Sequence, residues 1–166
     1  MRITIIVDVQ NDFVDGVLGT KEAQEMIPNL VKKLEDIQNE LIFTQDTHKA
    51  NYLETAEGKH LPIEHCMKNT SGWQIAPEIQ PFIGDSMLIE KASFGTTRLP
   101  SLLKKYDEVE LCGLCTDICV ISNALLIKAF YPEKTIIIDS KCCAGSTVEA
   151  HHAALLIMGN CGCIIE

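Results

Sequence analysis

Residues 107–130 read DEVELCGLCTDICVISNALLIKAF. The first seven, DEVELCG, form the short apolar run expected of a strand buried on both faces. Residues 117–130 have the apolar content of a mostly buried helix, which Pro132 ends. Only Leu114, Cys115 and Thr116 separate the two. A strand that enters a helix through so tight a turn is one βα unit, and the rest of the chain repeats the alternation.

Further strands are expected at RITIIVDV (2–9), ELIFTQD (40–46), DSMLIEK (85–91), KTIIIDS (134–140) and GCIIE (162–166). Helical period appears in Met26, Ile27, Leu30, Val31, Leu34 and Ile37, with Pro28 placed in the first turn, and again over 147–158. The pattern predicts an α/β fold: a single doubly wound three-layer domain over residues 1–166, built on a mostly parallel six-stranded sheet. Residues 47–84 carry few strand signals. An excursion that long in a compact domain is usually functional.

The 166 residues are 46% hydrophobic and 22% charged, enough apolar content to build the core of one ordinary domain. A net charge of −9 without a basic cluster argues against nucleic acid and anionic membrane as partners. No apolar run reaches the roughly 18 residues of a membrane span. The N-terminal MRITIIVDVQNDF, with Asp8 inside its apolar run, does not read as a signal peptide. Eight cysteines are many for this length, and several lie in apolar segments where a free thiol acts as a small hydrophobe. A reduced, cytoplasmic setting is therefore expected, rather than a disulfide framework.

In a doubly wound sheet, ligands bind beyond the carboxyl ends of the strands. That rule selects Asp8 and the QNDF after it, Asp46, Lys91, the 113–119 turn and Asp139. Cys112, Cys115 and Cys119 have the spacing C-x2-C-x3-C. A metal cluster needs three converging thiolates, but Cys112 ends an apolar strand and is directed into the sheet packing. That makes a cluster the weakest of three readings, with packing and a nucleophile ahead of it, and Cys119 is the candidate nucleophile. With Thr116 as N-cap, Cys119 becomes the third helical residue, where free amides and the helix dipole favour a thiolate. The same amides, with that of Cys115, are suited to hold an oxyanion, and such elbows present nucleophiles in other α/β enzymes. No histidine is an obvious base for this thiol, and Asp8 is the better candidate. Lys91 reads either as a solvated strand end or as part of the site.

Asp46 and His48, two apart on an extended segment, project to the same side. Glu54, Glu57, His60 and His65 follow. A further histidine and a carboxylate from these would complete a site for Zn²⁺, Mn²⁺ or Fe²⁺. An ordinary polar loop accounts for the same residues.

Taken together, these segments resemble the isochorismatase-like cysteine hydrolases, most closely their nicotinamidase branch. VDVQNDF (7–13) is similar to the family's opening strand and aspartate turn, and QDTH (45–48) to its metal-binding strand end. LPIEHC (61–66) with NTSGWQI (69–75) resembles the segment carrying a metal histidine. EKASFGTT (90–97) looks like the lysine strand and GLCTDICV (113–120) like the cysteine elbow. The five pieces fall in the family's order over almost the whole chain.

The resemblance implies that Asp8 takes the proton of Cys119 and that Lys91 holds the thiolate as an ion pair. It implies a cis Leu114–Cys115 peptide that aims the Cys115 amide at the substrate oxygen, and Phe13 against the substrate ring. It implies a divalent metal on Asp46, His48 and His65, with Glu57 or else Glu54 as a fourth ligand. The implied reaction is hydrolysis of a small-molecule amide, first of all nicotinamide to nicotinate and ammonia, through a thioester. A carbamoyl or other small amide is the alternative substrate, and a non-catalytic metal- or thiol-sensing protein is the alternative of another class. A homo-oligomer is compatible with the sequence.

Overall fold

The computed structural model describes residues 1–166. Its strands are β1 Arg2–Val7, β2 Glu40–Asp46, β3 Met87–Lys91, β4 Glu108–Leu114, β5 Thr135–Ala144 and β6 Ile164–Ile165. Its helices are α1 Asn11–Val14, α2 Lys21–Asp36, α3 Ala56–His60, α4 Arg98–Leu102, α5 Ile121–Phe130 and α6 Val148–Asn160. The sheet runs β3-β2-β1-β4-β5-β6, and every neighbouring pair is parallel. The chain leaves β1 toward β2 and β3, then returns to the other side of β1 as β4. Beyond the carboxyl ends of β1 and β4 the connections diverge, which opens the ligand crevice of a doubly wound sheet.

Strand alternation builds a core on each face. Ile3, Ile5 and Val7 of β1 and Val109 and Leu111 of β4 pack with Leu99, Val120, Ala124, Ile127 and Met158 from the α4, α5 and α6 side. Ile6 of β1 and Cys112 and Leu114 of β4 pack with Phe13, Met26, Ile27, Leu30 and Leu34 from α1 and α2. Cys112 and Cys119 therefore belong to different cores, and the C-x2-C-x3-C cysteines do not gather.

Several boundaries differ from the sequence reading. Strand β1 stops at Val7 because Asp8 turns into the left-handed region (φ 49°). Thr20 caps α2, its Oγ1 accepting from the Ala23 N–H at 3.0 Å. The helix thus begins at Lys21, and Pro28 lies in its interior rather than its first turn. Thr116 is not an N-cap either: Cys115 precedes a π-type turn, Thr116–Val120, and α5 starts only at Ile121. Strand β5 continues to Ala144 through a register jump, while β6 shrinks to two residues. Gly113 permits the β1–β4 contact at the crevice. Its φ is +120°, and a Cβ there would lie 2.1 Å from the Val7 carbonyl oxygen.

The 47–84 excursion folds back over the carboxyl ends of the strands. Bridges Gln10–Ile75 and His48–Met67 tie it down, and Ile75, Ala76 and Ile79 enter the core beside α2. No helix is long and apolar enough to cross a membrane.

Candidate active site

Asp8, just after β1, Lys91, at the end of β3, and Cys119, in the turn that follows β4, meet in the crevice. Lys91 Nζ stands 2.6 Å from Asp8 Oδ2 and donates to Cys119 Sγ at 3.5 Å. The Asp8 and Lys91 side chains are at most 1% exposed. Thr44 Oγ1 donates to the other Asp8 oxygen at 2.7 Å, and Lys91 also reaches the Ser93 carbonyl at 3.0 Å. Burial pushes the Asp8 carboxyl up, with Lys91 pulling it down. Burial and the nearby Asp8 also drive the Cys119 thiol well above its usual range, against the pull of Lys91. Burial thus opposes the thiolate that the helix start was expected to favour. Moving its proton to Asp8 keeps the net charge of the trio constant.

The turn before α5 shapes the other wall. The Leu114–Cys115 peptide is cis. The Cys115 N–H has no hydrogen-bond partner within the protein, although its residue lines the cavity beside Cys119. Asn123 fixes the elbow from inside α5, its Nδ2 donating to the Cys119 carbonyl at 2.8 Å and its Oδ1 accepting from the Thr96 N–H at 3.0 Å.

Asp46, His48, Glu57 and His65 form the second cluster, with one ligand atom from each lying within 4.8 Å of the others. His48 Nε2 is 3.0 Å from Asp46 Oδ2 and 3.4 Å from Glu57 Oε1, and His65 Nε2 is 3.7 Å from both carboxylates. Yet the buried His48 Nε2 makes no aligned hydrogen bond. Its contacts have the convergence of ligands rather than the directionality of hydrogen bonds. His65 Nδ1 lies 2.8 Å from the Ile63 carbonyl, which can only accept, so the hydrogen sits on Nδ1 and the Nε2 lone pair faces the cluster. Two nitrogens and two carboxylates are a donor set suited to a divalent ion such as Zn²⁺. Burial pulls the His48 pKa down, but Asp46 and Glu57 outweigh it and raise it to about 9. Glu54 is exposed and stands outside the set.

Both clusters face one cavity of about 560 Å³, lined by Phe13, Asp46, Glu57, His65, Cys115 and Cys119 among others. Asp46 joins them, with Oδ1 3.4 Å from Lys91 Nζ and Oδ2 toward His48. Phe13 lies with its ring centroid 5.5 Å from that of His65.

A model of the isochorismatase domain matches residues 2–165. The chain belongs to the isochorismatase family. The nicotinamidase of Schizosaccharomyces pombe is 30% identical, over 91% of this chain and 86% of the relative. The pyrazinamidase/nicotinamidase of Streptococcus mutans superposes with a TM-score of 0.84 at 26% identity, covering 100% of both chains. The pyrazinamidase of Pyrococcus horikoshii, solved in complex with zinc, gives 0.83 at 25% identity, covering 99% of this chain and 98% of that one. Within the family, the chain stands near the nicotinamidase branch.

Some residues that build the site escaped the sequence reading. Gln10 clamps Asp46 from both sides, accepting its N–H at 2.7 Å and donating to its carbonyl at 2.8 Å. Tyr52 packs its ring on His48 (4.5 Å) and His65 (5.1 Å) while its hydroxyl donates to the Leu61 carbonyl. Phe94, which is 45% exposed, lines the cavity mouth. Gln10 falls within the QNDF already noted, whereas Tyr52 and Phe94 had no local signal.

Proposed function

We propose that this hydrolase of amide C–N bonds converts nicotinamide to nicotinate and ammonia, with Cys119 as nucleophile. One observation carries the reading: a lysine-paired cysteine and a two-histidine, two-carboxylate set face the same 560 Å³ cavity. A flat pyridine carboxamide has functional groups at two edges, and this cavity has chemistry at two walls. The relatives reported above, a nicotinamidase and two pyrazinamidases, support the choice of substrate.

In this reading Asp8 accepts the Cys119 proton as the sulfur bonds to the amide carbon, and Lys91 balances the charge left on sulfur. The Cys115 N–H, free of protein partners, receives the developing oxyanion. The C–N bond then breaks, Asp8 returns its proton to nitrogen, and ammonia departs from the thioester. A water attacks that carbonyl with Asp8 as base, releasing nicotinate and restoring the thiol. Phe13 supports the ring face. Asp46, His48, Glu57 and His65 would hold a divalent ion, which when bound supplies a Lewis acid for the ring nitrogen.

Residues 1–166 act as one hydrolase domain in this account. Its eight free cysteines suit a reducing cytoplasm. Ammonia release across a panel of small amides, with and without added Zn²⁺, Mn²⁺ or Fe²⁺, tests the reading. Nicotinamide should be the preferred substrate. Faster turnover of a carbamoyl compound lacking a ring nitrogen would reassign the substrate.

A further inference from the structure

We propose that Cys112, Asp139 and Cys142 form a second metal site, for a thiophilic divalent ion such as Zn²⁺, beneath α2 and away from the catalytic cavity. Three separate observations support it. The thiols of Cys112 and Cys142 and a carboxylate oxygen of Asp139 all lie within 4.8 Å of one another. The two cysteines are 0% and 3% exposed and belong to the core between the sheet and α2, not to the core that contains Cys119.

The second observation is the register of β4 and β5. Leu111 pairs with Ile138 and Gly113 with Cys143, so Asp139, Ser140, Lys141 and Cys142 all stand opposite the single residue Cys112. A thiol that merely filled space would need no such bulge. Bulges re-aim side chains, and this one turns Asp139 and Cys142 of β5 toward Cys112. The aspartate and the second cysteine thus reach the first across a strand boundary.

The third is charge. Lys33 of α2 bridges Glu110 Oε1 at 2.7 Å and Asp139 Oδ2 at 2.8 Å, so two carboxylates share one ammonium. A divalent ion that displaces the two thiol protons adds two positive charges and releases two. The net charge of the pocket is unchanged, and Lys33 keeps its partners. A hard ion such as Mg²⁺ has no such exchange, because it does not claim thiolates. Asp139 Oδ1 accepts the Lys141 N–H at 3.1 Å, and the Cys142 thiol also bonds the Asp139 carboxylate, a contact that a metal would replace once the thiol proton is lost. Glu110, two residues before Cys112 on β4, stands outside the set, its oxygens held by Lys33 at 2.7 Å and by the Thr4 hydroxyl at 2.8 Å. The ion would pin the β5 bulge to β4 under α2, a structural role rather than a catalytic one.

The test titrates chelator-stripped protein with Co²⁺. Thiolate-bound cobalt shows an intense near-ultraviolet charge-transfer band that nitrogen and oxygen donors do not produce, so the cobalt bound at Asp46, His48, Glu57 and His65 is silent there. The band should appear in wild type, persist in Cys119→Ser and His48→Ala, and vanish in Cys112→Ser and Cys142→Ser. Zn²⁺ should raise the Tm of His48→Ala but not that of His48→Ala/Cys142→Ser. Asp139→Asn, which keeps both thiols, should bind Co²⁺ at this site at least about tenfold more weakly, the lower bound for losing even an outer partner. Three results would each overturn the proposal: no charge-transfer band, a band unchanged in Cys142→Ser and Asp139→Asn, or native protein in which Cys112 and Cys142 are isolated as a disulfide.

Discussion

Lys91 and Asp46 face each other at 3.4 Å, and through that contact the cysteine centre and the two-histidine centre share a buried charge. Asp46 spends its other oxygen on His48. Burial pushes the Asp46 carboxyl up, but His48, Lys91 and His65 together hold it below its usual range. Removing either centre's cation is therefore felt by the other.

The first prediction separates chemistry from folding at Lys91 and Asp8. Lys91→Met leaves Asp8 buried without its cation and Asp46 with only the histidines, which should cost about 3–5 kcal/mol of stability. Asp8→Asn leaves Lys91 paired to Asp46 and should cost less. Both should lower kcat by roughly 10²–10⁴-fold if Asp8 and Lys91 move and balance the Cys119 proton. Thermal unfolding and steady-state kinetics on the two variants check this. Near wild-type turnover in either removes that residue from the mechanism.

A second prediction concerns the two cysteines of the elbow. Cys119→Ala should abolish ammonia release while leaving the fold intact. Cys115→Ser should retain most activity, because in the proposed mechanism the backbone N–H, not the thiol, receives the oxyanion. Equal loss in the two variants would show that the Cys115 side chain takes part.

Much of this arrangement was legible in the sequence, for a physical reason. Strand β2 spans Glu40–Asp46 as read, because a run buried on both faces announces itself locally. Asp8, Lys91 and Cys119 were visible as polar or reactive residues at the carboxyl ends of such runs. What was not legible depends on distant partners. The choice of Glu57 over Glu54 rests on Thr55, whose Oγ1 caps α3 by accepting from the Gly58 N–H at 3.0 Å, turning Glu57 inward. Gly58 must be a glycine there, since a Cβ would lie 2.1 Å from the Tyr52 carbonyl oxygen. The β5 bulge exists only relative to β4, so no pattern within 134–140 could reveal it.

The third prediction is that metal loading depends on both histidines. Elemental analysis should find a divalent transition metal at the two-histidine site of wild-type protein, and that occupancy should be lost in His48→Ala and His65→Ala. Chelation should raise KM for pyridine carboxamides or stop their turnover, yet leave Cys119 open to alkylation by iodoacetamide. Unchanged kinetics after complete chelation would remove the metal from the substrate site.

The last prediction is a pH effect at the base of the elbow. His151 of α6 shares a 2.8 Å hydrogen bond through Nδ1 with Thr116 Oγ1, at the head of the turn that carries Cys119. Burial and the neighbouring His152 hold the His151 pKa below its ordinary 6.5, with Asp117 opposing them. Because the folded value is depressed, the stability gained from neutral His151 is fully present above 6.5 and is lost as pH falls through the folded value. His151→Gln keeps a group able to bond Thr116 but cannot titrate. Its Tm should fall less steeply than that of wild type as the solution is acidified below 6.5, while the two curves run parallel above it. Thermal unfolding of both proteins across that range decides the matter. Parallel curves throughout would mean that His151 is not the group through which acid loosens the elbow.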